Sequence, residues 1–391
     1  MLGSKNRPRR PSSPALPAKI TISLPNRFAL HLAKLANITP TPFNTVTQTV
    51  YPTTYLIPEW AEQAAVLLAW PYAQGDFAPW LPTVEQTYIH IAQEIAQRQT
   101  LLVACRNPEH QARIAGLLAE RDVAAEQVQY ALLPYEDVWV RDTAPLTVAT
   151  PEGPKLLDFR FNGWGGKYPH SADAALAQNL HATDLLGGLG LERIDFVLEG
   201  GSVESDGLGT LLTTARCLLN PNRNPTLNQA QIEAVLRERL GAEKVLWVEH
   251  GHAEGDDTDA HIDTLVRFCA PDTLAYTACD DPKDPLYPEL ATMAAQLATF
   301  RSPSGDAYRL VPLPIPAPIF SEDGQRLPAT YANFLIINGA VLVPTYGDPA
   351  DTVALERLAA GFPGREIVAI DCLPLIRQYG SLHCMTMQFP R

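Results

Sequence analysis

The feature that most constrains this chain is a recurrence of short apolar runs, each closed by proline, glycine or charge and each followed by a segment of helical periodicity. Ala65-Val66-Leu67-Leu68-Ala69-Trp70 reads as a buried strand ended by Pro71, and residues 83–98 as a helix whose apolar face is Val84, Tyr88, Ile91 and Ile95. Residues 101–104 form the next strand, 108–120 the next helix and 128–132 a third strand. The rhythm returns as helix 226–240 before strand 245–248, as helix 287–297, and as helix 352–360 before strand 366–370. Such alternation defines an α/β fold, and a recurrence of roughly 60 to 70 residues suggests one repeated unit building a single domain. The proline-rich residues 312–318 read as an extended edge or an active-site loop rather than a linker.

Residues 1–52 differ from all that follows. They hold Lys5, Arg7, Arg9, Arg10, Lys19, Arg27 and Lys34, no acidic residue, and many Pro and Ser. This composition builds no core and reads as a disordered basic extension, leaving residues 53–391 as the single folded domain. It lacks the long apolar run of a secretory signal, and an organellar transit peptide, a plain tail and a start placed too far upstream all remain open. The net charge of −13 over 391 residues argues against nucleic acid or an anionic membrane as partner and is compatible with a cationic substrate. No apolar run is long enough to span a bilayer. Cys105, Cys217, Cys269, Cys279, Cys372 and Cys384 show no C-x-x-C spacing, so reduced thiols and a cytoplasmic setting are expected.

Four stretches set a carboxylate, histidine or cysteine at the end of an apolar run, where a rigid scaffold presents functional groups. Trp139-Val140-Arg141-Asp142 is the first; alone, it reads as a solvated surface turn. In the second, Phe196-Val197-Leu198-Glu199-Gly200-Gly201-Ser202, paired glycines allow a sharp turn or a close approach, which aims Glu199 inward. The third runs Gly255-Asp256-Asp257-Thr258-Asp259-Ala260-His261-Ile262-Asp263. Extended geometry would put His261 and Asp263 on one face, suited to proton transfer and cation binding. Asp256, Asp257 and Asp259 also offer oxygen ligands for a divalent metal, but the spacing is not that of an EF-hand and no second histidine follows His261 at i+4, so the reading without metal is preferred. The fourth is Leu382-His383-Cys384. Neighbours in an extended segment face opposite ways, so Cys384 as a nucleophile needs a partner from far upstream, and His383 reads as a structural residue turned away. The inventory suits attack on a planar cation, with carboxylates pairing to two edges of a guanidinium and its carbon left open to a thiolate.

With these residues in order, the sequence resembles the agmatine deiminase family of the guanidine-modifying superfamily, which includes arginine and peptidylarginine deiminases. The resemblance runs from about residue 57 to the C-terminus. It rests on Pro58-Glu59-Trp60, Trp139 to Pro145, Phe159-Arg160-Phe161-Asn162-Gly163-Trp164-Gly165-Gly166, Leu198 to Ser202, Cys217 to Pro225, Gly255 to Asp263, Asn333-Phe334, Tyr346-Gly347-Asp348-Pro349 and Leu382 to Thr386. It implies a five-bladed α/β-propeller (pentein) of ββαβ-like units with pseudo-fivefold symmetry and the site at its centre. It also implies five catalytic positions, Asp142, Glu199, His261, Asp263 and Cys384. By that analogy Asp142 and Asp263 clamp the guanidinium, Glu199 orients His261, and Cys384 attacks to form a thiouronium. No cofactor or metal is implied, and a homodimer is plausible for the family.

The implied reaction is agmatine plus water to N-carbamoylputrescine plus ammonia, a step of putrescine biosynthesis. Deimination of free or C-terminal peptidyl arginine, amidino transfer and a non-catalytic binding role are the alternatives. Substrate-binding candidates besides Asp142 and Asp263 are Trp139, Trp164 and Arg160; Arg160 either holds its own loop or reads a substrate carboxylate. This chain departs from the family at Gln378-Tyr379-Gly380-Ser381, where relatives read G-G-G-N, and at Asp259-Ala260, where they read N-G.

Overall fold

The computed structural model describes residues 53–252 and 255–391. The basic extension expected at 1–52 lies outside the described residues. Five sheets are present among those described, and each is built the same way. Leu146–Ala149 and Lys155–Arg160 form an antiparallel hairpin, the chain crosses over through a helix at Leu176–His181, and Leu191–Val197 adds in parallel. Val203–Ser205, Thr210–Thr214, helix Gln229–Leu240 and Lys244–Val248 repeat the pattern. So do Val266–Ala270, Thr273–Thr277, helix Tyr287–Leu297 and Arg309–Leu313. Leu335–Ile337, Ala340–Thr345, helix Ala350–Gly361 and Glu366–Asp371 form the fourth. A parallel neighbour needs a crossover, and the helix supplies it while covering one face of the sheet.

The fifth sheet joins distant parts of the chain. Thr386–Pro390 pairs antiparallel with Gln63–Ala69, which is followed in parallel by Thr100–Cys105 and Val128–Leu132. The expected strands and helices here are present, and Val84, Tyr88, Ile91 and Ile95 of helix Leu81–Ala96 are fully buried. Helix 226–240 starts later than expected, at Gln229. Asn228 accepts from the Gln231 amide and Gln231 reciprocates, a capping box that outcompetes the earlier Thr226. Pro312 sits on the edge strand of its sheet, as read, and no residue of 312–318 reaches the site described below.

The turn entering each sheet matters most. Gly200 lies against the neighbouring turn so closely that a Cβ there would stand 2.1 Å from the Arg141 carbonyl oxygen. Because the obstacle is backbone, Gly200→Ala should cost about 3 kcal/mol. Urea unfolding should show a lower midpoint at unchanged slope.

Candidate active site

Five segments that enter the first strand of a sheet converge. Asp142 lies in the one-turn helix Val140–Thr143, Glu199 precedes the turn Gly200–Ser202, and Asp263 lies in the turn Ile262–Thr264. Asn333 and Cys384 each stand two residues before their strands, Leu335–Ile337 and Thr386–Pro390. The segments touch in a closed circuit. The Arg141 amide donates to the Cys384 carbonyl at 3.1 Å, and the Gly201 amide to Asp142 Oδ1 at 2.9 Å. A Cβ on Gly201 would strike His261 Nδ1 at 2.7 Å and Asp263 Oδ2 at 3.1 Å. Asn333 Nδ2 donates to Asp263 Oδ2 at 3.2 Å, and the His383 amide donates to the Asn333 carbonyl at 3.2 Å. The paired glycines therefore serve close approach, as their sequence suggested.

The circuit encloses a cavity of about 130 Å³. Trp139, Trp164, Tyr168 and Tyr379 supply aromatic wall; Asp76, Asp137, Asp142, Asp256, Asp257 and Asp263 supply acid; Cys384 lines the same cavity. No basic side chain lines the cavity among the described residues. Cys384 Sγ is 3.2 Å from Asn333 Nδ2 and 3.6 Å from Asp263 Oδ2. Asp142 takes a bond from Trp164 Nε1 at 2.9 Å, made possible by the left-handed backbone of Trp164. Asp263 Oδ1 is buried and has no partner. A buried acceptor without a donor is costly, so it marks a place for one.

Electrostatics agree. Burial, with the nearby Asp263 and Glu199 charges, pushes the Asp142 carboxyl up. Burial, then Asp263 and Asp142, push the Cys384 thiol well up. For His261 burial opposes the charge, yet Asp142, Cys217 and Glu199 outweigh it and hold the ring well above its usual value of 6.5. Burial and the neighbouring aspartates thus favour the neutral thiol at Cys384, and the acids around His261, which lies behind the cavity lining rather than in it, favour its imidazolium. A cation placed among these groups would reverse the strain on Asp142 and on the thiol.

Several sequence expectations need correction. His261 and Asp263 share the site through a 3₁₀ turn rather than through strand alternation. Glu199 makes no direct hydrogen bond to His261: both its oxygens accept from Arg223 Nε, at 3.0 and 2.9 Å, and it acts on His261 across a gap below 4.8 Å that also holds Cys217. His383 is not turned away; Leu382–Met385 form a turn, and its ring bonds Asp263 Oδ2 at 2.8 Å. Arg160 is half exposed and pairs with Asp195 on the surface, away from the cavity. Trp139 and Trp164 do line it. The three acids considered for metal diverge: Asp256 caps Thr258 and Ala260, Asp257 meets Tyr168, and Asp259 pairs with Arg223 and Lys167. The clusters Glu199, Cys217, His261 and Glu59, Glu204, His383, buried except for the partly exposed Glu59, carry ligand-type atoms within 4.8 Å, but Arg223 and Arg267 already supply the counter-charge.

Asn333 and Arg223 carry no individual signal of residue type in the sequence beyond the motifs that contain them. Asn333 was findable by position, since it precedes its strand as Cys384 does. Arg223 was hidden in a loop whose Asn and Pro content suggested a plain turn.

The sequence profile of the Porphyromonas-type peptidyl-arginine deiminase family matches residues 55–390, and the chain belongs to that family. It is 33% identical to the agmatine deiminase of Stutzerimonas stutzeri over 362 residues, covering 86% of this chain and 95% of that protein. Among solved structures, a Porphyromonas gingivalis protein provisionally described as an arginine deiminase is 45% identical, with a TM-score of 0.81 and coverage of 86% and 98%. A variant of the C. jejuni agmatine deiminase with substrate bound is 34% identical, with a TM-score of 0.80 and coverage of 89% and 99%.

The side chains of Arg223 and Glu199 are fully buried against each other. Arg223→Ala leaves a buried carboxylate uncompensated and should destabilise the fold by about 3–5 kcal/mol. Denaturant unfolding measures the loss.

Proposed function

We propose that this protein hydrolyses the guanidinium group of agmatine, giving N-carbamoylputrescine and ammonia in putrescine biosynthesis. The observation that carries the choice of substrate is the cavity lining, in which six aspartates and no basic side chain appear among the described residues. Agmatine has a cation at each end and suits such a wall, whereas the carboxylate of arginine has nothing there to meet it. The names of the agmatine deiminases from Stutzerimonas stutzeri and C. jejuni support the same reading. Deimination of arginine, free or at a peptide C-terminus, is the second reading, favoured by the family description and by the Porphyromonas gingivalis relative.

Asp142 and Asp263 clamp the guanidinium, the unpartnered Asp263 Oδ1 accepting one of its N–H groups. Trp139 and Trp164 flank the cation. The substrate charge lowers the raised pKa of Cys384, which releases its proton to solvent, and the thiolate adds to the guanidinium carbon while the His261 imidazolium protonates the departing ammonia. The S–C bond replaces a C–N bond and leaves a cationic thiouronium. Neutral His261 then takes a proton from water, water adds to the same carbon, and the thiolate leaves a ureido product. Glu199, locked by Arg223, supports the charge on His261 across the gap. Metal and organic cofactors have no part in the scheme.

Residues 53–391 form one domain, a five-bladed propeller with pseudo-fivefold symmetry. Five ββαβ sheets and the closed circuit of their entry turns support this arrangement. A cytoplasmic setting accords with six buried, unpaired cysteines. No helix among the described residues is long and apolar enough to cross a membrane. Homodimerisation belongs to the same reading and rests on the family alone.

Assays of ammonia release with agmatine, arginine and arginine-terminated peptides should favour agmatine; release from arginine alone would overturn the substrate assignment. Cys384→Ala should lose turnover by at least about a thousandfold. Because the His261 acid form is needed and its pKa is raised, the alkaline limb of kcat/KM should lie above neutral pH, activity falling as pH climbs through the elevated value.

A further inference from the structure

Glu59 and His383 lie outside the catalytic cavity yet are tied to it. His383 is almost fully buried, and each nitrogen of its ring meets a carboxylate: Nδ1 stands 2.8 Å from Asp263 Oδ2, and Nε2 stands 2.7 Å from Glu59 Oε1. Glu59 is itself gripped by Arg141 Nη1 at 3.0 Å, Arg267 Nη2 at 2.7 Å and Gln388 Nε2 at 2.9 Å. It lines a second cavity, of about 40 Å³, that shares no lining residue with the first. Arg267 is fully buried, bonds Glu204 and the Phe334 carbonyl, and lies 3.0 Å from His383 Nε2. The far end of the row is therefore fixed by three donors from three segments of the chain.

The near end is selective. Asp263 Oδ2 is taken by His383 and Asn333, while Oδ1 is left buried and bare. A carboxylate free to rotate would present either oxygen. This one keeps Oδ2 on His383 and Asn333, 3.6 Å from Cys384 Sγ, and leaves Oδ1 as its open acceptor.

We propose that Glu59 and His383 are positioning residues: anchored by Glu59, the His383 ring fixes the Asp263 carboxylate so that Oδ1 alone faces the guanidinium. The inference rests on the deiminase reading above. It assigns substrate affinity to two side chains that never touch substrate. The groups facing Asp263 are His383, Asn333, His261, Asp142 and Cys384, with Arg267 further off; those facing His383 are Asp263, Glu59, Glu204 and Arg267. Burial opposes ionisation of Asp263, and His383 is the foremost of the groups that nevertheless hold it below the usual carboxylate range. Losing His383 therefore raises the Asp263 pKa. The ionised form needed to bind a cation is then lost at a higher pH.

The test compares the parent with His383→Gln and Glu59→Gln, using whichever guanidine the parent deiminates. Expected is a rise in KM of about tenfold or more for His383→Gln, the worth of one charged hydrogen bond, with kcat within about threefold. The acid limb of kcat/KM should move to higher pH. Glu59→Gln keeps the shape of its site and should move both quantities in the same direction by less; if His383→Gln does not fold, it carries the test alone. Folded variants with the parental KM and acid limb overturn the proposal. So does a fall in kcat with KM and acid limb unmoved. A parent that deiminates no guanidine overturns the deiminase reading instead, and calorimetric binding of agmatine to Cys384→Ala with and without His383→Gln then decides the positioning role: a weakened Kd sustains it, an equal one ends it.

Discussion

Three buried carboxylates, those of Asp142, Glu199 and Asp263, share one small volume with a thiol, and the rest of the architecture is arranged around keeping them there. Buried charge is tolerable only with partners, and each carboxylate has a different one. Glu199 has Arg223, Asp263 has His383 and Asn333, and Asp142 has the Gly201 amide and the Trp164 indole. The partners come from all parts of the chain. No single sheet could hold the cluster, which is why the entry turns of separate sheets must meet.

That meeting also explains the backbone. Gly200 and Gly201 lack a side chain because neighbouring turns occupy the space, and Trp164 accepts a left-handed conformation to bring its indole onto Asp142. Asp259 and Ala260 are both left-handed, at φ 67° and 66°, in the loop that leads to His261. Tyr379, at φ 64°, stands in the cavity wall. At these positions the chain carries side chains where a bare glycine backbone would be easier. Strain of this sort gathers where function has fixed the conformation against local preference.

Much of this was legible in the residues. Apolar runs with helical interludes gave away the strands and crossover helices because burial on both faces leaves a compositional trace, as in Val66 to Ala69 and Leu101 to Ala104. Cys384, His261, Glu199, Asp142 and Asp263 were marked by their place at the ends of such runs. What stayed hidden was direction. Whether His383 faced the site depended on a turn rather than a strand at Leu382–Met385, and whether Arg160 did depended on which face of its strand it left at the strand's end. Pairings such as Arg223 with Glu199 or Glu59 with His383 join residues far apart in sequence. Periodicity carries no information about them.

The strand that follows Cys384 is held by Gln63–Ala69, from near the opposite end of the described residues. This seam makes the reaction an all-or-none report on assembly. A molecule in which Thr386–Pro390 has peeled away keeps most of its secondary structure and most of its buried surface, yet no thiol stands among the aspartates. Such molecules would be spectroscopically near-native and wholly silent. Turnover per milligram therefore counts closed seams, and storage or mild proteolysis that opens this one ladder will lower the number of working molecules without altering the KM of those that remain.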